Sequence, residues 1–389
     1  MKEQESIVVC GSGIVGLAAA LGLTRAGFRV TIVGPRPSPQ APPEDFWHPR
    51  VYAISPSSRQ FLESLGMWAL MDARRVTPVQ AMEVFGDSGG HVSLHAWQTM
   101  DTALAWIVES GELERALMQS IQVYGIDWCD AHFTSLEGSH LATDKGQRLA
   151  FDLLVGADGA YSPVRTAAKI AHHKKSYGDH GMVTHLTTAL AHQNIAFQWF
   201  TGDSVLALLP LADTRQGSQA SMVWSMPQAD ASRLMALPTG ERNARLQEGL
   251  HAVAGDSLGD LEVRSEVFSF PLTLERSRMI GDRVALVGDA AHRVHPLAGQ
   301  GLNLGLGDVR DLIATLRHKE SWYGVGDYRV LARYRRQRAE PVQAMRLATD
   351  GLYQLFARNN APLMWTRNVG MHWVNKLSFA KRLLIHGAK

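Results

Sequence analysis

The chain has 389 residues, 46% of them hydrophobic and 20% charged, which is enough apolar material for one large core or two smaller ones and excludes a disordered chain. A formal charge of +2 at pH 7 is too balanced to mark a nucleic-acid surface, so a small-molecule partner and no nucleic acid are expected. Two widely separated cysteines, Cys10 and Cys129, offer neither a disulfide framework nor a zinc site, and no apolar run approaches the ~20 residues of a membrane span.

The chain opens on a short apolar strand (Ile7, Val8, Val9), turns through glycines, runs through an Ala/Leu-rich segment and closes on the β-branched run Val30 to Val33. That order predicts a βαβ unit. Its turn reads Gly11-Ser12-Gly13-Ile14-Val15-Gly16, a dinucleotide-binding pattern in the strand-to-helix context that gives it meaning. Gly11 permits the tight turn, Gly13 lets the backbone approach a pyrophosphate, and Gly16 allows close helix-to-strand packing. An acidic residue that would bind a ribose hydroxyl is expected at the end of the second strand. Gly34 stands there, followed by Pro35 and Arg36. Either Arg36 or a loop residue substitutes, or the cofactor is held less tightly; in the second case Gly34→Glu would tighten it.

Further along, the stretch Val79 to Leu94 is expected to join a second domain. A second buried strand ends in Gly156-Ala157-Asp158-Gly159, followed by Ser162 and Arg165. His172 and His173 read as part of a solvated Lys-rich turn. Between Met182 and Phe270 the pattern turns alternating and aromatic, as in an antiparallel sheet. A third strand leads into Gly288-Asp289-Ala290-Ala291-His292 and then His295-Pro296-Leu297-Ala298-Gly299-Gln300-Gly301-Leu302-Asn303. A short carboxylate suits a polyol, and glycines at a helix start suit a partly anionic ring. After Arg329 the chain reads as helices, and from Gly351 to Lys389 it holds no Asp or Glu. No histidine pair has metal-ligand spacing with supporting ligands, so no metal is expected.

The three glycine motifs, in this order, resemble those of the class A flavoprotein monooxygenases, the group typified by para-hydroxybenzoate hydroxylase. Arg50 through Ser55, Leu65-Gly66-Met67-Trp68, Leu208 to Leu211, and Tyr334 with Arg338 narrow the likeness to the ubiquinone-biosynthesis hydroxylases, although Gln198-Trp199 replaces that family's usual Glu-Arg. The resemblance implies a Rossmann-like FAD-binding domain with an inserted antiparallel substrate domain and C-terminal helices. The expected division is 1–78, 95–175 and 276–350 for FAD, 79–94 and 176–275 for substrate, and 351–389 as a helical tail.

By the same resemblance Gly11, Gly13, Ile14, Val15, Gly16, Arg36, Arg50, Asp158, Gly159, Arg165, Gly288, Asp289, Pro296, Gly299, Gly301, Leu302 and Asn303 are candidates to hold FAD, with Asp289 on the ribityl chain. His292, His295 and Pro296 are candidates near the reaction. The implied chemistry is ring hydroxylation of a prenylated phenol by a flavin hydroperoxide made from molecular oxygen. NAD(P)H or a small protein would supply electrons. A cytoplasmic enzyme is expected, either peripheral to the inner membrane through its basic, apolar tail or held in a biosynthetic complex. Two rivals share the cofactor motifs: another FAD enzyme, such as a halogenase or polyprenyl reductase, and a non-catalytic scaffold. The Trp-x-Trp-x-Ile run of a halogenase is absent.

Overall fold

The computed structural model describes residues 4–38, 45–86, 89–294 and 300–356. Its first strand, Ser6–Cys10, has Ile7, Val8 and Val9 at no more than 1% exposure. The helix Ile14–Arg25 follows, and Leu17 through Leu21 are buried without a break. A helix covered on every side needs no polar stripe, which accounts for its Ala/Leu composition. The chain leaves it at Gly27 (φ +92°) and re-enters the sheet as Arg29–Val33.

These strands lie within a six-stranded sheet. The order is Ile280–Gly281, Val284–Leu286, Leu153–Gly156, Ser6–Cys10, Arg29–Val33, Asp127–Cys129, all parallel except the hairpin at the first edge. In such sheets the carboxyl ends of the strands form the binding crevice. Here those ends deliver Gly11, Gly34, Ala157 and Val287 to one edge.

The second sheet has nine strands. Its centre is the antiparallel set His172–Thr188, Gly217–Pro227, Ser204–Thr214 and Ile195–Thr201, and the last of these pairs in parallel with Ala81–Phe85. One face carries Met182, Leu186, Leu206, Leu208, Met222 and Trp224, which pack with Leu246 and Leu250 of the helix Thr239–Ala254. Its opposite face turns toward a small sheet formed by Val51–Ile54, Ala105–Glu109 and Val76–Val79, with Leu209 and Leu211 against Ile107 and Val79.

His172 and His173 lie in a strand, not the turn expected for them; His173 is exposed, while His172 Nε2 meets the buried Glu275 at 3.0 Å. Local composition cannot reveal a carboxylate 103 residues away.

Two helices, Gly301–Arg317 and Tyr328–Phe356, pack against each other beside the first sheet. Tyr334 is fully buried, and its hydroxyl donates to Leu286 O at 2.8 Å, tying the last helix to the sheet. Tyr334→Phe should lower the unfolding free energy by about 1 to 2 kcal/mol, measured by urea denaturation; an unchanged midpoint would show that this bond contributes nothing net.

Candidate functional site

The first turn separates structural glycines from an open one. A Cβ on Gly11 (φ +119°) would lie 2.2 Å from Ala157 O, and one on Gly16 would lie 2.1 Å from Gly11 O. Neither position admits a side chain. Gly13 has open space where a Cβ would project, and the helix it precedes has no side-chain cap and no acid in its first turn. An uncapped helix N-terminus with room above it is the donor set a pyrophosphate requires.

The other two motifs close on this turn. Gly288 (φ +61°) would place a Cβ 3.2 Å from Val15, and Gly305 would place one 3.0 Å from both Val15 and the Gly288 Cα. Ala157 touches Gly11 and Gly16, so all three motifs meet around Val15. Ile14 turns into the core. Asp289 stays half-exposed, its carboxylate 3.8 Å from Arg293 Nε. A second helix N-terminus stands at Gly301, which among the described residues has no side-chain cap and no neighbour where a Cβ would project. His295, Pro296 and Gly299 lie outside the described residues.

Several residues expected to contact the cofactor also brace the protein. Asp158 accepts from Ser162 Oγ at 2.5 Å and from the Val164 N–H at 2.9 Å, capping the short helix Pro163–Ala167. Burial pushes its carboxyl up. Arg165, 7% exposed, donates to Ala290 O at 2.9 Å and Ala160 O at 2.8 Å, clamping the second motif to the third. Between them Gly159 supplies a turn at φ +82°. Asn303 accepts from the Ser55 N–H at 3.0 Å and donates to Ala53 O at 2.8 Å, while Leu302 is buried. These side chains shape the cradle with polar groups that already have protein partners.

Behind Gly288 lies Asp308, which composition did not single out. It is fully buried and accepts from the Gly288 N–H at 2.9 Å and Arg338 Nε at 2.7 Å; His292 Nε2 lies 2.8 Å away. Burial alone would raise its carboxyl. His292, Arg338 and the Gly288 N–H outweigh burial and hold it below the usual range. His292 is thus engaged by a structural carboxylate.

At the far end of the crevice, Gly34 donates to Cys129 O, accepts from Trp128 Nε1 and has φ +156°. A Cβ there would sit 3.1 Å from Ser12 Oγ. Restoring an acid at this position is therefore a strained substitution, contrary to the simple gain expected of Gly34→Glu. Arg36 stacks over Trp128 at 5.1 Å, and its N–H donates to Asp130 at 3.1 Å. Asp130 follows the neighbouring strand and brings to this end the carboxylate that the second strand lacks.

The large sheet presents a row of modest residues on its face toward the small sheet: Gln198, Ala207, Val223, Val183 and Phe268 are successive cross-strand neighbours. Val183, Ala207 and Val223 keep partial exposure beside fully covered residues. Exposed Arg50 lies over Tyr52 at 5.1 Å. Burial, countered by Arg50 and reinforced by Asp289, pushes the Tyr52 phenol up to about 12. No group of three metal-ligating side chains occurs among the described residues.

The family profile described as "FAD binding domain" matches residues 4–349. The chain is 31% identical to the 3-demethoxyubiquinol 3-hydroxylase of Escherichia coli K12, covering 98% of this chain and 97% of that one. It is 29% identical to the mitochondrial ubiquinone biosynthesis monooxygenase COQ6 of Drosophila melanogaster, covering 99% and 90%. Among solved structures, the probable FAD-dependent monooxygenase PqsL of Pseudomonas aeruginosa superposes with a TM-score of 0.78 at 22% identity, covering 95% of this chain and 100% of that one. The p-nitrophenol 4-monooxygenase PnpA of Pseudomonas putida DLL-E4 superposes with a TM-score of 0.76 at 17%, covering 99% and 97%. Both structures share the fold.

Asp308→Asn should cost about 3 to 5 kcal/mol, because it leaves Arg338 and His292 without their buried partner. An acid with a depressed pKa contributes its full stability above the unfolded value of about 3.9 and loses it as pH falls through the lower folded value. Unfolding free energies measured from pH 3 to 7 should accordingly fall less steeply below about pH 4 in the variant. Equal slopes in the two proteins would remove Asp308 from the acid limb.

Proposed function

This chain belongs to the class A FAD-dependent hydroxylases of the ubiquinone-biosynthesis type, and from that premise we propose that it hydroxylates the ring of a polyprenylated phenol on the path to ubiquinone. The observation that carries this reading is the convergence of two uncapped helix starts and the half-exposed Asp289 on one open edge of the sheet. The pyrophosphate of FAD would lie over Gly13, Asp289 would hold a ribityl hydroxyl, and the N-terminus at Gly301 would face the ring system. Arg36 and Asp130 would serve the adenosine end, and Arg50 would contact the cofactor beside Tyr52. Bound there, FAD supplies the redox chemistry that joins a reductant, molecular oxygen and the ring carbon.

The protein's own tasks are to bind, orient and exclude water. Val183, Ala207 and Val223 offer a flat apolar surface to an aromatic ring, and Gln198 ends that row with a neutral polar group. No side chain has to act as a nucleophile. The prenyl tail of such a substrate resides in a membrane, and residues 351–389, basic, apolar and without a carboxylate, have the composition of an interfacial segment. We assign them peripheral contact with a membrane or a membrane-bound partner; they lie almost wholly outside the described residues. No helix among the described residues is long and apolar enough to cross a membrane.

Product analysis with a prenylated phenol, NADPH and oxygen tests the reading directly: a hydroxylated ring is expected, and reductant oxidation that yields only peroxide in every reductant system would overturn it. The cradle is tested by a pair of substitutions. Gly13→Ala should leave apoprotein stability unchanged and weaken FAD binding, since its methyl enters the open space, whereas Gly11→Ala should destabilise the apoprotein itself. Asp289→Ala should weaken FAD binding by about 1.5 to 3 kcal/mol, read by fluorescence titration. Retention of flavin at parental affinity by both Gly13→Ala and Asp289→Ala would move the cofactor elsewhere.

A further inference from the structure

One edge of the nine-stranded sheet carries a charge arrangement that the FAD cradle does not use. Here His172–Thr188, Phe268–Ser277 and His292–Arg293 run side by side, with Lys174 opposite Glu275 and Glu275 opposite Arg293. Next along, His173 stands opposite Arg276, which stands opposite His292. Side chains alternate across a pleated sheet, so these two sets point to opposite faces. On the first face Glu275, 3% exposed, collects His172 at 3.0 Å, Arg293 at 3.2 Å and Lys174 at 3.7 Å. The carboxylate of this edge is fully engaged.

On the second face His173, Lys175 and Arg276 have no ion-pair partner among the described residues. The helix Tyr328–Phe356 brings Val342 and Arg346 against them, and with Leu274 they enclose a cleft of about 240 Å³. Lys174, Glu275 and Arg293 also border it, with Glu275 paired to each of the two cations. His292 and Val294 complete the wall. Cations gathered in a partly enclosed space repel one another more strongly than in open water, and an anion relieves that repulsion.

We infer that this cleft binds a phosphate-bearing ligand. The guanidinium of Arg276 matches paired phosphate oxygens, Lys175 adds a compact point charge, and Leu274, Val294 and Val342 accept an adjoining organic part. A free nucleotide and a phospholipid headgroup share this chemistry. Binding here is independent of hydroxylation, so it stands or falls separately from the reaction assigned above.

The test uses the full chain loaded with FAD, at low salt, with three probes: NADPH, inorganic pyrophosphate, and vesicles of phosphatidylglycerol compared with phosphatidylcholine. The variant Lys175→Gln/Arg276→Gln is set beside a charge-matched control, Arg242→Gln/Arg245→Gln, on the remote helix Thr239–Ala254. Flavin content and the product formed after chemical reduction of the flavin report that the fold and the FAD site are intact in both. The cleft variant should bind at least one phosphate probe tenfold or more weakly, and the control less than twofold more weakly. Loss of NADPH and pyrophosphate binding identifies a free phosphate ligand; loss confined to phosphatidylglycerol vesicles identifies a lipid headgroup. Equal affinities of the two variants for all three probes would overturn the site.

Discussion

Asp308 is fully buried, and a carboxylate so placed is tolerable only when charges and donors surround it. It has them from three directions: the Gly288 N–H, the Arg338 guanidinium and the His292 imidazole. Gly288 begins the turn that presents Asp289, while Arg338 belongs to the last helix and also reaches Asp311 and Leu304 O. The cradle's most exposed acid is therefore positioned by its least exposed one. Removing any partner leaves a charge or donor in the core, which is why the loop, the strand end and the helix behave as one unit.

Glycines do the complementary work at contacts where charge has no role. Gly11, Gly16, Gly288 and Gly305 let three loops meet within backbone contact, while Gly13 keeps empty space in front of it. Conformational need and ligand access thus fall on different glycines of one motif. In the large sheet the same division is made by alternation: one face buries Met182, Met222 and Trp224 under helices, while the neighbouring positions Val183 and Val223 remain partly open.

How much of this was legible in the sequence follows from the range of each interaction. The first βαβ unit and the three glycine turns could be read because their signals are local: a strand, a tight turn and a helix start within a dozen residues. Asp308 and Arg338 lie 30 residues apart, Asn303 and Ser55 lie 248 apart, and no periodicity links either pair. For the same reason no local pattern shows that Arg165 reaches Ala290 O, 125 residues away. Gly34 stands at the end of the second strand where an acid is expected. That Asp130 stands nearby depends on Asp127–Cys129 pairing beside Arg29–Val33, a fact of sheet order. The cationic cleft was hidden because it requires the strand register that sets His173 beside Arg276 and the helix packing that brings Val342 over them.

The strand order also governs how the chain must come together. Ser6–Cys10, at the centre of the first sheet, takes one neighbour from residues 29–33 and the other from residues 153–156; the latter waits in turn for residues 284–286. The lock on that last strand, Tyr334, and the partner of Asp308, Arg338, come later still. During synthesis the nascent chain would therefore carry an unfinished sheet, with apolar edges uncovered, until most of its length had left the ribosome. Contacts of such long sequence separation slow folding and lengthen the exposure of sticky edges. Meanwhile the inserted sheet, whose central strands are joined by short turns, can form early. In the growing polypeptide the large sheet can thus be assembled before the sheet that begins at the first strand.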